Sequence, residues 1–491
     1  MVWQIARKEF HDNWISHKII LAFALCVILM MVSVGLALKD YSERLMNYGV
    51  ANSDDALFVG NVANYIFFNE DGGSYSTDIG DMVDTLGAYR RPAEFSVFAR
   101  GLEDRMNRPV RFMDIRKMGL QVQADVGNKQ ERNKLFALFA PPDFLFITRV
   151  MLSLLTILFA FSAIAGERET GTLKLMLSNP VSRGQLLLGK FLGGYVSLAI
   201  PFVTAALISF ILVALSPSAT LNGEGWMRVS LLTLTSLIYI AVFFFIGLGI
   251  SALARRSSTA VLLLLAIWIV LTLVVPSTGW LVAKRIVELP SEQQIATEKF
   301  KTARQMEDEA EKKNPSYSYM PGYGKYHIEA QPEIAKTMKG IEERYAAIRR
   351  KRLDLSQFLT RFSPVGSYVY VASGLTQTGI EDEKKYHLQL KQYENQVSVG
   401  NAELLQMIQK LMTTPPPQTQ DLHELRNWKG KQLDVVFNKG KEIGAGASPD
   451  FKKASLSETL NIVRPDMLLL ISWMALAFVF ATLAVVKCEV R

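Results

Sequence analysis

The chain alternates between long uncharged stretches and polar segments. A helix needs about 20 apolar residues to cross the hydrocarbon core of a bilayer, because it rises only about 1.5 Å per residue. Six stretches meet this length, at 19–38, 144–165, 191–215, 229–254, 258–283 and 467–486. The pattern therefore predicts an all-α polytopic membrane protein with six transmembrane helices, in which two long polar blocks occupy 39–143 and 284–466.

One charge interrupts the second apolar stretch. Arg149 lies about one helical turn inside the start of that stretch. Two interpretations stay open. The guanidinium snorkels to the membrane interface along its aliphatic stem, or it is a functional charge that lines a translocation pathway.

The distribution of Lys and Arg over the short flanks predicts the orientation. If all six stretches cross the membrane, both termini lie on one side, together with 166–190 and 255–256. That side carries eleven basic residues, whereas the short loop on the other side, 216–228, carries only Arg228. The positive-inside rule therefore places both termini in the cytoplasm and the two long blocks outside it. Long translocated domains do not follow the rule, so the basic residues of the blocks do not count against it.

The two polar blocks differ in pattern. In 39–143, apolar and polar residues alternate over 120–126, which predicts a strand within a mixed α/β extracytoplasmic block. The block 284–466 predicts charged helices that form a projection, the first beginning at Ser291 with Gln294 in capping-box spacing. Residues 362–379 are apolar but too interrupted by Ser and Gly to span. We expect a helix there on the outer leaflet or in the domain core.

The first seventeen residues predict an amphipathic helix. Trp3, Arg7, Phe10 and Trp14 recur every three to four residues, whereas polar residues face elsewhere. Two tryptophans beside a basic residue are typical of a helix that lies in the interface plane and contacts lipid. The alternative is a plain cytoplasmic extension of the first span.

Composition restricts the function classes. Hydrophobic residues make up 49% of the chain and charged residues 20%, which excludes a disordered chain and a purely soluble enzyme. Cytoplasmic flanks explain the net charge of +8 better than a nucleic-acid partner does. Gly189-Lys190 lacks the glycines of a phosphate-binding loop. The five histidines are scattered, so we expect no metal, no bound cofactor and no catalytic residue in this chain.

The most informative segment follows the second span, at 166–190. It begins with a polar break, continues as a short amphipathic helix with Leu173, Leu175, Met176 and Leu177 as apolar positions, and stops at Asn179-Pro180. From the residues alone, two interpretations stay open. The helix docks into a groove of a cytoplasmic partner, or the segment is an ordinary interfacial loop.

This segment resembles the signature of ABC-2 type exporter permeases, in which Glu-Arg/Lys-Glu-x-Gly-Thr-Leu and a later Pro-x-Ser-Arg follow the second span. The matching positions are Glu167, Arg168, Glu169, Gly171, Thr172, Leu173, Pro180, Ser182, Arg183, Gly189 and Lys190. The resemblance implies that 167–178, including Met176, is the coupling helix that contacts an ATPase, and that Arg7 and Trp14 belong to an elbow helix. It also implies two permease chains, identical or paired, and two ATPase subunits that bind ATP and Mg, in a bacterial inner membrane.

The two large blocks depart from the compact members of that family. They resemble a subgroup with insertions between spans one and two and between spans five and six, similar to permeases of copper-site assembly, sodium-export or gliding-motility systems. Residues 359–364 and 375–379 are similar to a segment of that subgroup.

We therefore expect a permease subunit of an exporter, driven by a separate ATPase. One alternative is a mechanotransmission subunit that acts on an extracytoplasmic partner without substrate passage. A second is a membrane-anchored receptor or scaffold without nucleotide dependence. The sequence predicts no particular substrate.

Overall fold

Six long apolar helical segments dominate the computed structural model. It describes residues 1–68, 87–88, 90–106, 110–113, 121–124, 142–178, 181–219, 221–313, 318–320, 324–326, 331–393 and 451–488. The segments long and apolar enough to cross a membrane are Lys18–Val50, Phe144–Glu169, Arg183–Ala214, Gly223–Leu253, Ser257–Ile286 and Leu456–Lys487. The protein is a helical polytopic membrane protein, and the predicted six-span fold is confirmed.

Several spans contain more than one helical piece. The helices of the first five spans and of the segments that connect them are α1 Val2–Ile15, α2 Lys18–Phe68, the turn Phe144–Phe146, a π-helical turn Ile147–Leu152, α3 Ser153–Ala160, α4 Ala165–Glu169, α5 Thr172–Ser178, α6 Arg183–Ala214, α7 Gly223–Leu253, α8 Ser257–Ile269, a second π-helical turn Val270–Val274 and α9 Val275–Ile286. In the second long block and the last span they are α10 Glu292–Lys313, α11 Gln331–Thr360, α12 Pro364–Leu375, α13 at 380–393 and α14 Leu456–Lys487.

Polar caps, rather than the ends of the apolar runs, determine where the spanning helices begin. The side chain of Asn222 accepts a hydrogen bond from the amide of Gly225 at 2.8 Å, so α7 begins six residues before the predicted span. Capping boxes at Ser182 and Ser455 start α6 and α14 in the same way. These caps satisfy backbone N–H groups that the first helical turn leaves without an intrahelical partner.

Helix α7 lies at the centre of the bundle and packs against α3, α6, α12 and α14. Helix α12 is buried along most of its length. The rings of Tyr368 on α12 and Tyr239 on α7 stack at 4.5 Å between centroids, and the hydroxyls of Tyr368 and Ser236 are 2.9 Å apart. The predicted short helix of 362–379 therefore does not span but fills the space between two spanning helices.

The π-helical turn of the second span contains Arg149. Its backbone carbonyl accepts hydrogen bonds from the hydroxyl groups of Tyr239 at 2.9 Å and Ser153 at 2.6 Å. These bonds fix the widened turn, and the Arg149 side chain is half-buried. Whether this side chain snorkels or lines a pathway stays a prediction.

The described part of the first long block combines the C-terminal end of α2 with short elements. They are a 3₁₀ turn Glu94–Val97, a helical turn Glu103–Met106, and the antiparallel strands β1 Gly87–Ala88, β2 Val110–Met113 and β3 Gln121–Ala124. β3 lies where alternation predicts a strand, but only these short strands occur among the described residues of the block. A mixed α/β class for the whole block is therefore not supported and stays a prediction, since 69–86, 114–120 and 125–141 lie outside the described residues.

The second block contains α12 and α13 and, before them, an antiparallel hairpin of two longer helices. Helices α10 and α11 enclose a small apolar core around Ile295, Ile334 and Met338. Ser291 and Gln294 form the predicted reciprocal cap, with bonds of 3.3 and 2.8 Å. Short strands β4 Ser318–Met320 and β5 Gly324–Tyr326 pair between the helices. The described residues of the block are mainly helical, as predicted, and 394–450 lie outside them.

Arg228 has a role that the charge count did not reveal. It lies within α7, is 2% exposed, and donates hydrogen bonds to the carbonyls of Leu375 at 3.2 Å and Ala454 at 2.8 Å, and to the hydroxyl of Thr459 at 3.2 Å. It also pairs with Glu224 at 2.8 Å. Arg228 is therefore a buried clamp between α7, α12 and the start of α14, rather than a loop charge.

Candidate functional site

The chain termini, the α4–α5 segment and residues 254–257 meet at one end of the bundle, which we call the terminal face. The helix of the second span is interrupted here, where residues 161–164 form a turn between α3 and α4. The hydroxyl of Ser251 on α7 donates to the carbonyl of Phe161 at 2.7 Å and accepts from the amides of Ile164 and Ala165 at 3.0 Å. One hydroxyl therefore satisfies three backbone groups that the break leaves unpaired.

A glycine turn connects α4 to α5. Gly171 adopts φ +76°, a left-handed conformation that glycine adopts without steric cost. The amide of Gly171 donates to the carbonyl of Arg168 at 3.2 Å, and the hydroxyl of Thr172 donates to the carbonyl of Glu167 at 3.2 Å. The two threonine hydroxyls that flank the glycine, on Thr170 and Thr172, are 2.9 Å apart. These contacts fix the angle at which α5 leaves α4.

Helix α5 presents one apolar side to the bundle and another side to the exterior. Leu173 is 2% exposed and Met176 packs half-buried against the core. Lys174 is exposed, and Leu175 is 69% exposed. Pro180 lies outside the described residues. The predicted short amphipathic helix is present as a seven-residue rod with an exposed apolar residue.

The first charge of the motif pairs with a buried lysine. The Nζ atom of Lys190 on α6 is 2.8 Å from Oε1 of Glu167 and 2.8 Å from Oε2 of Glu9 on α1. The Lys190 side chain is 1% exposed, and the two glutamates are 17% and 18% exposed. Three separate segments, α1, α4 and α6, therefore meet at one buried cation.

The two arginines of the motif bind the ends of spanning helices. Arg168 donates to the carbonyl of Ala254 after α7 at 2.9 Å and to the sulfur of Cys488 after α14. Arg183 donates to the carbonyl of Val485 at 3.2 Å and to that of Val486. Cations near helix C-termini compensate carbonyls that have no intrahelical donor.

The side chain of Glu169 binds the N-terminus of a spanning helix rather than a C-terminus. Its carboxylate accepts hydrogen bonds from the amide of Ser257 at 3.0 Å and from the hydroxyl of Ser257 at 2.7 Å. Ser257 is the first residue of α8, and Arg256 before it provides no side-chain cap. An anion is favourable at a helix N-terminus, so Glu169 caps the fifth span from a different segment.

Helix α1 packs on α6 through small residues. A Cβ atom at Gly189 would lie 2.7 Å from Cβ of Ile5, and one at Gly193 would lie 2.5 Å from the carbonyl oxygen of Ala6. The side-chain amide of Asn13 donates a hydrogen bond to the hydroxyl of Ser197 at 3.4 Å. These contacts show which side of α1 faces the bundle.

The predicted aromatic stripe of α1 lies on a different side of the helix. Trp3 is 75% exposed and Trp14 is 55% exposed. Phe10 is half-buried with its ring 6.2 Å from that of Trp14, and Arg7 is exposed. This arrangement leaves the stripe available to a membrane interface.

The structure thus connects the motif charges to several different spans of the bundle. Glu167 is tied to α6, Arg168 to the ends of α7 and α14, Glu169 to α8, and Arg183 to α14. Glu9 was not predicted as a site residue, although its spacing of four from both Ile5 and Asn13 places these three residues on one helix face. Within the described ranges, no group of three or more His, Cys, Asp or Glu residues could hold a metal ion.

The fold and the site define a class of protein: a six-span membrane protein with a short exposed helix rigidly connected to its spans. The family model for ABC-2 family transporter proteins matches residues 3–486, and the chain belongs to this family.

Two curated relatives are named probable ABC transporter permease protein NosY. The one from Pseudomonas aeruginosa is 38% identical over 122 residues, which cover 24% of this chain and 43% of the relative. The one from Stutzerimonas stutzeri is 32% identical over 124 residues, covering 25% and 45%. The chain therefore spans less than half the length of these relatives.

Proposed function

We propose that the protein is the permease subunit of a bacterial ABC exporter and that α5 is the helix on which a separate ATPase subunit acts. The observation that carries the proposal is the exposed rod α5, whose flanking charges are tied to α6, α7, α8 and α14. A displacement of such a rod is transmitted to several spans at once, because packed helices shift as units rather than deform continuously. Family membership supports the same role.

We further propose that the terminal face is cytoplasmic and that both long blocks lie outside an inner membrane. Exposed basic residues at this face support the orientation, among them Lys174, Arg183, Arg255 and Arg256. The buried Arg228 lies at the opposite end of α7 and presents no exposed charge there. A protease or labelling experiment on sealed vesicles tests the orientation at a cysteine introduced at Lys174.

In the proposed mechanism, an ATPase dimer binds two permease chains, identical or paired. ATP and Mg bind to the ATPase, and its closure pushes α5 of each permease. The spans then change between two arrangements that bind the substrate differently, since a conformational change does work on a ligand only through such a difference. Alternating access and expulsion both fit this scheme.

A second candidate function keeps the ATPase but transmits force to an extracytoplasmic partner without passage of a substrate. The hairpin of α10 and α11 favours it, because cross-helix ion pairs stiffen the projection. Lys299 pairs with Glu342 at 2.5 Å, and Glu298 accepts from Arg344 and Tyr345. A transport assay in vesicles separates the two functions, since only the exporter moves a solute. A receptor or scaffold would show no nucleotide dependence.

The decisive experiment is copurification of an ATPase in mild detergent with the wild-type chain and with Leu175→Glu. Leu388→Glu is the matched control, since Leu388 is 63% exposed on α13 in the second block. We expect Leu175→Glu to lose the ATPase, because a buried charge without a partner is strongly unfavourable at an interface. Leu388→Glu keeps it. Equal retention by both variants, or absence of an ATPase from the wild-type preparation, contradicts the proposal.

A further inference from the structure

Lys190 and its two glutamates form an ionic node between segments that lie far apart in the sequence. Glu9 belongs to the interfacial helix α1, Lys190 to the third span and Glu167 to the segment that leads into α5. Both N–O distances are 2.8 Å, and the lysine side chain is 1% exposed. A cation at this depth requires its counterions to stay in place, since removal of a partner from a buried pair is strongly destabilising.

Buried apolar residues lie about one helical turn from the node in the sequence. Ile5 precedes Glu9 by four residues on α1, and Leu186 and Leu187 precede Lys190 by four and three residues on α6. Simultaneous replacement of all members of a buried ion pair or triad by apolar side chains of similar volume is often neutral or stabilising, because burying charges costs hydration free energy. The distinct property of the ionic node is therefore geometric: two carboxylates must stay within hydrogen-bond distance of one ammonium group.

Helix α1 is held to the bundle in a second way that is far less directional. Its seam with α6 consists of small residues in van der Waals contact, at Gly189 and Gly193, together with the long Asn13–Ser197 hydrogen bond of 3.4 Å. Small residues allow two helices to approach closely, but they contribute no charged group that fixes how one helix lies along the other. The node supplies the strong directional link between α1 and the α4–α5 segment.

We propose that Lys190 is a positioning residue that makes α1 and the α4–α5 segment move as one body. Through Lys190, a push on α5 also displaces the interfacial helix, and the position of α1 in the membrane interface sets the position of α5. This inference rests on the proposed function for its mechanical consequence, but the structural link exists in the permease alone.

Hydrogen exchange of the full-length chain in lipid nanodiscs tests the link without an ATPase. In Lys190→Met, we expect amide exchange in both α1 and α5 to rise about tenfold or more, because two carboxylates lose their shared counterion. In Glu9→Ala, which keeps the Cβ that packs on Gly193, we expect exchange in α5 to rise about tenfold, since one charge-assisted hydrogen bond is lost. Lys190→Arg restores slow exchange, and Lys8→Met, an exposed lysine of α1, changes nothing.

The Glu9→Ala variant is the critical one, because Glu9 is not part of the α4–α5 segment. A purely local role for Lys190 would leave exchange of α5 at the wild-type rate in Glu9→Ala, and that result overturns the inference. In the assembled complex, the expected signature is retained ATP hydrolysis with lost coupling to the permease for Lys190→Met and Glu9→Ala, and recovery in Lys190→Arg. Wild-type coupling in both variants also overturns it.

The two proposals fail in different ways. If no ATPase copurifies with the wild-type chain, the proposed function is wrong, and the exchange experiment still decides whether the node links α1 to α5. If an ATPase copurifies and is lost in Leu175→Glu, but Glu9→Ala leaves α5 unchanged, the proposed function stands and the node is only local.

Discussion

Replacement of Arg228 by Met removes the buried clamp at the end of α7 opposite the terminal face. The guanidinium of Arg228 donates hydrogen bonds to the carbonyl of Leu375 at 3.2 Å and to the carbonyl of Ala454 at 2.8 Å. Hydrogen bonds from a charged donor contribute about 1.5–3 kcal/mol each. In the variant, the carbonyl of Ala454 keeps a second donor, the side-chain amide of Gln377 at 2.8 Å. The free energy lost with the Arg228–Ala454 bond therefore lies at the lower end of that range.

The partner carboxylate adds little to this loss. Glu224 is 43% exposed, and water replaces the guanidinium there. We therefore expect the start of α14 and the end of α12 to lose about 3 kcal/mol of local stability, which corresponds to a rise in amide exchange of roughly a hundredfold.

Hydrogen exchange of residues 451–459 in detergent or nanodiscs measures this loss. Arg350→Met is the matched control, because Arg350 is exposed on α11 and contacts the carbonyl of Ala346 at 3.5 Å. Arg228→Lys keeps the charge but lacks the planar guanidinium fork that reaches several acceptors at once, so we expect the exchange rate in this variant to fall between those of the other two. If Arg228→Met exchanges at the rate of Arg350→Met, the clamp does not hold these segments and the reasoning is refuted.

Two further predictions concern pH and packing. Burial raises the pKa of Asp382 to about 6, so the folded chain still holds a proton at pH values where the unfolded chain has released it. The free energy of unfolding therefore falls by on the order of 2 kcal/mol as the pH rises from about 4 to 6. Asp382→Asn abolishes this dependence in denaturation curves at pH 4 and pH 7, and an unchanged difference contradicts the assignment. Gly193→Ala places a Cβ atom 2.5 Å from the carbonyl of Ala6 and destabilises the docking of α1 by about 1–3 kcal/mol. Gly184→Ala meets no atom within 4 Å, and α1 protease protection that is equal in both variants refutes the close contact.

The six spans could be predicted from the sequence because an uninterrupted apolar run has one stable arrangement in a bilayer, a helix with all backbone groups paired internally. Local caps such as the Ser291–Gln294 pair were also predictable, because the two residues lie three positions apart in the sequence. The α5 segment was also recognisable, since a polar break, four apolar residues and a proline lie within one short stretch. In each case the interacting groups are a few residues apart.

The partners of the motif charges were decided only by the tertiary structure. Arg168 contacts Cys488 at the other end of the chain, and Glu169 caps a helix that begins at Ser257. The same holds for Arg228, which the sequence placed in a loop and the structure buries between three helices. Pairings of this kind depend on how the spans pack side by side. The hydrophobic pattern predicts that a helix spans the membrane, but it does not predict which neighbouring helix its polar residues contact. The apolar surface fixes the number of helices, whereas a few buried polar contacts fix their arrangement.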